Sequence, residues 1–369
     1  MTIKNINIFF KNKFINADIE FDEKIRSITN IKNENKTSNY LIPRFFDIHT
    51  HGGYGIEFNN LLNYNEKQII DYINKTKLEG IEHIFITTVT DSIKNLKKLA
   101  LKIKELIYKY DFFVGWHLEG PFINKLKKGA HNSKNIIPIN ENFLIWLKKN
   151  CNFKIMITFA PEVENNLMIA KKYQKDFYWS IGHTNMNSVS MQKCNQLGFN
   201  KITHLCNAMN EFNHKYHQAS IVNYALNNSL KCEIIPDFYH INKETLITIK
   251  NNINYKNLMI ISDSLIPKGL NNQIYSLGKI LIDKKDEICY IHDSNTLAGS
   301  CNKFNNLIAK YLSINQQNIK EIVYLSSINA CNFFKMKQQQ INLNNIANFL
   351  IINKEGKIDS IYENGKQIN

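Results

Sequence analysis

Apolar residues come in short continuous runs through the middle of the chain, and eight of these runs predict β-strands. A continuous apolar pattern, in place of a strict alternation, is typical of strands that are covered on both faces. The eight runs are RFFDIH (44–49), HIFITT (83–88), FFVGWHLE (112–119), KIMITFA (154–160), FYWSIGH (177–183), KITHL (201–205), CEIIPD (232–237) and LMIISD (258–263).

Amphipathic stretches separate these runs and predict helices. The helical candidates are 65–80, 91–110, 186–198 and 242–252. Gly80 and Gly198 follow two of them as C-terminal stop signals. Strand and helix alternating eight times is the pattern of a (β/α)8 barrel. We therefore predict an α/β protein with a TIM-type barrel over residues 43–340.

Polar and apolar residues alternate over short stretches at the two ends of the chain. NINIFFKNKFINADIEF near the start and NFLIINKEGKIDSIYENGKQI near the end have the period of two that half-buried strands require. We predict one small β-sandwich domain, built from residues 1–42 and 341–369 together and lying beside the barrel.

The net charge of +14 raises the possibility of a nucleic-acid partner. Of the 46 basic residues, however, only Arg26 and Arg44 are arginines, and the lysines are scattered along the whole chain. Nucleic-acid binding favours arginine and a clustered basic surface, so we expect no nucleic-acid partner. No apolar run reaches the roughly 20 residues that a membrane span needs, so we expect no membrane span. A cytoplasmic protein is expected.

The seven cysteines include no CxxC pair. This predicts buried thiols, and it argues against a disulfide scaffold and against a thiolate zinc site.

Histidine and carboxylate side chains fall at the carboxyl ends of six predicted strands. These residues are His49, His51, His117, Glu119, His183, His204, Asp237, His240 and Asp263. In a (β/α)8 barrel such ends converge on the face that carries the active site, and the two rings of an HxH pair share one side of the strand. Imidazole and carboxylate ligands without thiolate suit a divalent ion such as zinc, ferrous iron or manganese. The pattern therefore predicts a metal-dependent hydrolase site.

Seven motifs follow one another along nearly the whole chain. They are PRFFDIHTHGG (43–53), HLEGPFINKLKKGAH (117–131), SIGHT (180–184), THLCNAMNEFNHK (203–215), PDFYH (236–240), SDS (262–264) and TLAGS (296–300). In this order they resemble the N-acetylglucosamine-6-phosphate deacetylase family of the amidohydrolase superfamily. HLEGPF with GAH, and THLxNAM, are specific to this family, whereas an HxH pair alone indicates only the superfamily.

The resemblance implies an enzyme that removes the acetyl group of an amino-sugar phosphate and forms a homodimer or higher homo-oligomer. It implies a principal metal on Glu119, His183 and His204 and, in members with two metals, a second one on His49 and His51. One or two divalent cations per chain, zinc or ferrous iron, are therefore expected. Asp263 resembles the catalytic acid and base. The positions that match substrate contacts are Ala130, His131, Asn207, Ala208, Lys215, Asp237, Phe238, Tyr239, His240, Leu297, Ala298 and Gly299.

Amide hydrolysis at neutral pH needs a strong nucleophile and a stabilised oxyanion. A divalent ion would supply both, by lowering the pKa of its water toward ~7 and by polarising the acetyl carbonyl. Asp263 would take the water proton and return it to the departing amine, and His131 would donate to the carbonyl oxygen. Backbone N–H groups of Asn207 and Ala208 would meet the phosphate.

The chain departs from the family at several positions, of which Lys215 matters most for the substrate. The family has Arg at this position, and it has Glu-Pro-Gly where Tyr216-His217-Gln218 follow. Lysine replaces a bidentate fork by a point charge, so we expect the phosphate to be less strictly oriented. An amidohydrolase acting on a different N-acylated sugar phosphate is therefore an alternative. A basic nucleic-acid-binding protein is the alternative from another class.

Overall fold

The computed structural model describes residues 1–31, 37–215, 218–278, 280–314, 318–337 and 341–369. Its strands are β1 (Thr2–Phe10), β2 (Lys13–Phe21), β3 (Ile25–Asn30), β4 (Tyr40–Ile42), β5 (Phe45–Thr50), β6 (Gly52–Gly53), β7 (Ile56–Glu57), β8 (Ile81–Thr88), β9 (Phe113–Glu119), β10 (Lys154–Phe159), β11 (Tyr178–Ile181), β12 (Lys201–Ile202), β13 (Lys231–Ile234), β14 (Leu258–Ile260), β15 (Ile274–Leu277), β16 (Ile280–Lys285), β17 (Ile288–Ile291), β18 (Leu297–Ser300), β19 (Phe349–Ile352), β20 (Ile358–Glu363) and β21 (Lys366–Gln367). Its α-helices are α1 (Glu66–Lys77), α2 (Ile93–Lys109), α3 (Glu141–Asn150), α4 (Asn166–Lys172), α5 (Ser188–Gln196), α6 (Ile221–Asn227), α7 (Lys243–Asn252), α8 (Phe304–Ile314), α9 (Ile319–Val323) and α10 (Asn329–Phe333). Short 3₁₀ segments lie at Phe58–Asn63, Lys125–Lys127, Ser133–Asn135 and Tyr255–Asn257, and a π-helical segment at Tyr324–Ile328.

Eight parallel strands form the barrel in the order β14-β13-β12-β11-β10-β9-β8-β5, so that strands consecutive in the chain are neighbours in the sheet. The ring closes between its first and last strands through the residues that follow β14. The Asp263 N–H donates to the His49 carbonyl at 2.9 Å, and the Ser262 hydroxyl donates to the Asp47 carboxylate at 2.5 Å. The predicted barrel is confirmed, and each of its strands overlaps one of the predicted apolar runs.

Helices cover the barrel because their apolar faces match the outward side chains of the strands. Leu99 and Ile103 of α2, for example, share one buried cluster with Ile84 and Trp116 of the adjacent strands. Asparagine, which is abundant in this chain, often begins these helices. The side-chain oxygens of Asn65, Asn140, Asn187 and Asn242 accept an N–H three residues later at the starts of α1, α3, α5 and α7.

Strands from both ends of the chain form one seven-stranded sheet in the order β21-β20-β19-β4-β1-β2-β3. The two ends meet where β4 pairs with β19, with Leu41 opposite Ile351. A separate buried cluster that includes Ile8, Phe21 and Phe349 lies on this sheet. The predicted small β unit from both termini is therefore present beside the barrel, whereas its borders at residues 42 and 341 stay a prediction.

A four-stranded antiparallel sheet, β15–β18, follows the last barrel strand and was not predicted from the sequence. It is attached to the barrel by β18, since the Ser300 N–H donates to the Asp263 carbonyl at 3.0 Å and the Leu265 N–H donates to the Ser300 carbonyl at 3.0 Å. This attachment places the segment Leu297–Gly299 over the carboxyl ends of the barrel strands.

Cys289 on β17 and Cys301 just after β18 are joined as a disulfide, with Cα atoms 6.5 Å apart. The prediction of thiols was wrong for these two residues, because the spacing of 12 in the chain does not show that neighbouring strands bring them together. The other five cysteines carry free thiols, as predicted. In the part of the chain that the structure describes, no helix is both long and apolar enough to cross a bilayer.

Candidate active site

Three predicted site residues lie two or three residues beyond the ends of barrel strands and have left-handed backbone conformations. The φ angles are +47° at His183, +30° at His204 and +46° at Asp263. Non-glycine residues rarely adopt such angles, which carry a cost in free energy and are found preferentially at functional sites. At each of these positions the chain turns sharply out of the strand, and the three side chains converge over the end of the barrel.

The first group of potential ligands consists of Glu119, His183 and His204. The Glu119 Oε1 atom lies 2.8 Å from Nε2 of His204 and 3.1 Å from Nε2 of His183, and the two nitrogens are 3.1 Å apart. All three residues are buried. Together they offer one carboxylate oxygen and two ring nitrogens directed at a common point.

The second group consists of His49, His51 and Asp263. Nε2 of His51 lies 3.1 Å from Asp263 Oδ1 and 3.3 Å from Nε2 of His49. The other carboxylate oxygen of Glu119, Oε2, is 3.1 Å from the same His51 nitrogen. Glu119 therefore stands between the two groups and contacts both.

The hydrogen bonds behind these rings show that the groups suit a cation. Nδ1 of His183 faces the Lys127 carbonyl at 2.8 Å, and a carbonyl can only accept, so this nitrogen carries the proton. In the neutral ring, Nε2 then directs a lone pair at Glu119 Oε1 and at Nε2 of His204. Such a convergence of electron-rich atoms is unfavourable by itself and favourable around a divalent metal. Burial alone would raise the pKa of the Glu119 carboxyl, but the surrounding histidines, His49 first, hold it well below its usual range.

His131 presents a donor to the same point. Its Nδ1 accepts from the Thr90 N–H at 3.2 Å and lies 2.7 Å from the Thr90 hydroxyl, so the proton of the neutral ring is on Nε2. Nε2 lies 3.6 Å from Glu119 Oε2. Burial, and then the electrostatic influence of the nearby His183, lower the pKa of His131 to about 4, which keeps the ring neutral near pH 7.

An open cavity of about 380 Å³ lies above the two ligand groups. Of the residues predicted to contact substrate, eight line it: Ala130, His131, Asn207, Ala208, His240, Leu297, Ala298 and Gly299. His51, Glu119, His183, His204 and Asp263 form its floor, whereas His49 is fully buried beneath them. The structure therefore brings most of the predicted site residues to one cavity.

The remaining predicted substrate residues lie elsewhere. Asp237 is buried below the cavity, where its carboxylate lies 2.7 Å from Nδ1 of His240 and holds that ring in place. Phe238 is half-buried, and the Tyr239 side chain is exposed. Lys215 is exposed and is not among the residues that line the cavity. Tyr216 and His217, which also depart from the family, lie outside the described residues.

One of the two backbone N–H groups predicted to meet the phosphate has a partner within the chain. The N–H of Asn207 was expected to meet the phosphate, but it donates to the His204 carbonyl at 2.9 Å. The bond follows from the tight turn after His204, which the motif alone does not reveal. The Asn207 side chain still borders the cavity.

Sequence reasoning missed the residues that hold the histidine rings from behind. Thr90, the Lys127 carbonyl and Glu233 contact the rings, and Lys201 in turn contacts Glu233. The Glu233 side chain is fully buried and lies 3.1 Å from Nδ1 of His49. A charged residue inside the apolar run CEIIPD was the available signal, since an isolated glutamate in a buried strand requires a partner.

The barrel carries two groups of potential metal ligands at the ends of its strands. Comparisons with known proteins are more specific. The chain is 27% identical over 274 residues to N-acetylglucosamine-6-phosphate deacetylase of Bacillus subtilis, a match covering 72% of this chain and 68% of the relative. It is 24% identical over 268 residues to N-acetylgalactosamine-6-phosphate deacetylase of a Shewanella species, covering 72% and 66%. No protein-family model matches the chain.

Solved structures give the same result for the fold. N-acetylglucosamine-6-phosphate deacetylase from Thermotoga maritima matches with a TM-score of 0.88 at 25% identity, covering 100% of this chain and 99% of that one. The corresponding Mycobacterium smegmatis enzyme matches with a TM-score of 0.90 at 17% identity over the same shares, which is a likeness of fold. The resemblance predicted from the motifs is thereby confirmed.

Proposed function

We propose that this protein hydrolyses the acetamide of N-acetyl-D-glucosamine 6-phosphate to give D-glucosamine 6-phosphate and acetate. The observation that carries the proposal is the pair of ligand groups at the strand ends, joined through Glu119, with a neutral donor ring at their edge. Support for the substrate comes from relatives and solved structures that carry the name of this deacetylase.

Glu119, His183 and His204 would hold one divalent cation, zinc or ferrous iron, and His49, His51 and Asp263 would hold a second. The chemistry supplied by a bound divalent cation is a lower pKa for water and a polarised carbonyl. His131 donates from Nε2 to the carbonyl oxygen of the acetyl group, where negative charge develops in the transition state. Its tautomer is already set by Thr90, so the donor needs no rearrangement.

Asp263 takes the proton of the attacking water and returns it to the amine nitrogen as the C–N bond breaks. An amine leaves poorly unless it is protonated, so one carboxylate that acts first as base and then as acid serves both halves of the reaction. The carboxylate is suited to this role because it reaches the cavity while its backbone is fixed by the hydrogen bonds to His49 and Ser300.

The outer part of the cavity would take the sugar phosphate. His240, held by Asp237, and the segment Leu297–Gly299 border this part. Burial would lower the pKa of His240, but the Asp237 carboxylate raises it, which favours the charged ring that an anion would meet. A cavity of about 380 Å³ is within the usual range for small-molecule sites, roughly 300–1,000 Å³.

Acetate release from N-acetylglucosamine 6-phosphate by the purified protein, with zinc or ferrous iron present and then removed by a chelator, tests the proposal. We expect turnover that is lost with the metal and restored by adding it back. Absence of turnover with every divalent metal supplied would refute the assignment. The unphosphorylated sugar is the control, and we expect a much higher KM for it.

The galactosamine epimer is a second candidate substrate. One relative, at 24% identity, is named for deacetylation of N-acetylgalactosamine 6-phosphate. Comparison of kcat/KM for the two epimers decides between them, since the enzyme's preferred substrate has the higher value. The homo-oligomeric assembly and the cytoplasmic location stay predictions from the sequence.

A further inference from the structure

Glu233 on β13 touches residues of both ligand groups, although it belongs to neither. Its Oε2 atom lies 3.1 Å from Nδ1 of His49 and 3.3 Å from the backbone N–H of His204. Its own carbonyl accepts the N–H of Leu205 at 2.9 Å. The carboxylate is thus in contact with a ring of the second group and with the left-handed turn of the first.

Lys201 on the adjacent strand β12 supplies the opposite charge. Its ammonium group is in direct contact with Glu233 Oε1, and both side chains are almost completely buried, 1% and 0% exposed. An unpaired charge at such a depth would be strongly unfavourable. The pair therefore keeps a negative charge behind the histidines without a large net charge in the core of the barrel.

A carboxylate in this position fixes which nitrogen of His49 carries the proton. Since an ionised carboxylate can only accept, Nδ1 of His49 is protonated, and in the neutral ring Nε2 has a free lone pair. Nε2 faces His51 Nε2 at 3.3 Å and Asp263 Oδ1 at 3.4 Å, the two other members of the second group. A carboxylate behind a metal-binding histidine also raises the basicity of the ligand nitrogen.

We propose that Glu233, neutralised by Lys201, is a positioning residue that holds His49 in the orientation and tautomer with which the second ligand group would bind its cation. The inference rests on the proposed metal-dependent function and adds a buried residue pair that sets the affinity of the second ligand group. Loss of the Glu233 carboxylate should weaken metal binding by the second group most. In that group the carboxylate contacts the ring of His49, whereas in the first group it contacts only the backbone N–H of His204.

The test removes both charges together, since the removal of one partner alone leaves the other unpaired and endangers folding. In Lys201→Met/Glu233→Leu the buried pair becomes apolar, a change that is often neutral or stabilising. Lys201→Met/Glu233→Gln keeps the side-chain shape and an acceptor oxygen, and it serves if the leucine variant does not fold. Zinc content per chain and the two dissociation constants, measured by competition with a chelator, are the readouts, together with the thermal unfolding of the metal-free proteins.

We expect two zinc ions in the wild type. In the leucine double variant the second dissociation constant should rise about 10–100-fold, with the first nearly unchanged and the unfolding temperature not lowered. The glutamine double variant should lie between the two. Two zinc ions with unchanged constants in both double variants, or a wild type that binds fewer than two, would overturn the inference.

The matched control is the buried pair of Glu79 and Lys268, whose charged atoms are 2.9 Å apart with side chains 2% and 1% exposed. Glu79 accepts from the Tyr54 hydroxyl and the Phe304 N–H, away from the ligand groups. Glu79→Leu/Lys268→Met should leave both zinc constants unchanged. Failure of the proposed function gives a different result, namely two zinc ions in the wild type without deacetylation.

Discussion

The inner and outer ends of the cavity are built in different ways. At the inner end, the ligand side chains lie on barrel strands or one to three residues beyond them, and all are buried or nearly so. At the outer end, the predicted phosphate residues lie on loops, and Lys215 and Tyr239 are exposed. Strand register holds the inner end to a fixed geometry, whereas Lys215 and Tyr239 lie outside the strands.

We infer from this difference that the inner end carries out the reaction and that the outer end binds the sugar phosphate. Amide hydrolysis requires atoms that are positioned to fractions of an ångström, and the barrel supplies that rigidity. Binding of a sugar phosphate tolerates more movement, since a charge attracts a phosphate over a range of distances. Changes at the inner end should therefore reduce kcat and metal content, and changes at the outer end should mainly raise KM.

The largest effect is expected from Glu119→Gln. Glu119 contacts both ligand groups, and the amide would place donor hydrogens where a metal needs a negative charge. Activity should fall below detection, and bound metal should be sharply reduced in both groups. Glu105→Gln, on an exposed side chain of α2, is the control and should behave as the wild type. Full metal content and near-normal turnover in the Glu119 variant would show that the inner end is assigned wrongly.

The same division explains how far the sequence could be interpreted. His183, Glu119 and Asp263 could be placed because strand ends are visible in the apolar pattern and barrel topology brings them together. Lys215 could not be placed, since a loop has no periodicity that positions it. Glu233 and the disulfide of Cys289 with Cys301 depend on which strands are neighbours and in which register, a property of the folded sheet.

Asp263→Asn should remove the acid and base of the reaction while sparing the metal of the first ligand group. The asparagine can neither take a proton from water nor return one to the amine, so kcat should fall about 10²–10⁴-fold. The metal on Glu119, His183 and His204 should stay bound, because Asp263 belongs to the other group. Steady-state kinetics and metal analysis on the same preparation provide the measurement. Survival of most of the activity while the metal of the first group stays bound would remove Asp263 from the mechanism.

His131→Phe tests the donor at the edge of the ligand groups. Without the Nε2–H, the developing oxyanion loses one hydrogen bond, and kcat should fall about 10²–10³-fold while metal content stays normal. His131→Gln retains an N–H donor and should recover part of the loss, which a simple packing defect would not allow. An equal loss of activity in the phenylalanine and glutamine variants would argue against a donor role.

The smallest effect is expected at the outer end, from Lys215→Ala. If Lys215 meets the phosphate when substrate is bound, KM should rise by the equivalent of about 1.5–3 kcal/mol, roughly 10–150-fold, because a hydrogen bond to a charged group is lost. Turnover of the unphosphorylated sugar should hardly change. Lys215→Arg should bind as well or better, since the guanidinium fork suits phosphate oxygens. Lys243→Ala, at another exposed lysine, is the control.

Because Lys215 is exposed, it would be free to contact the substrate of a neighbouring subunit in the predicted homo-oligomer. Mixed oligomers of Lys215→Ala and Asp263→Asn chains test this. The Lys215→Ala chain has an intact inner end, and its substrate would be contacted by Lys215 of the Asp263→Asn chain. Activity above that of either parent at low substrate concentration would support sharing between subunits. An unchanged KM for the phosphorylated sugar in Lys215→Ala would show that Lys215 does not bind substrate. The outer end would then recognise the phosphate through His240 and its neighbours.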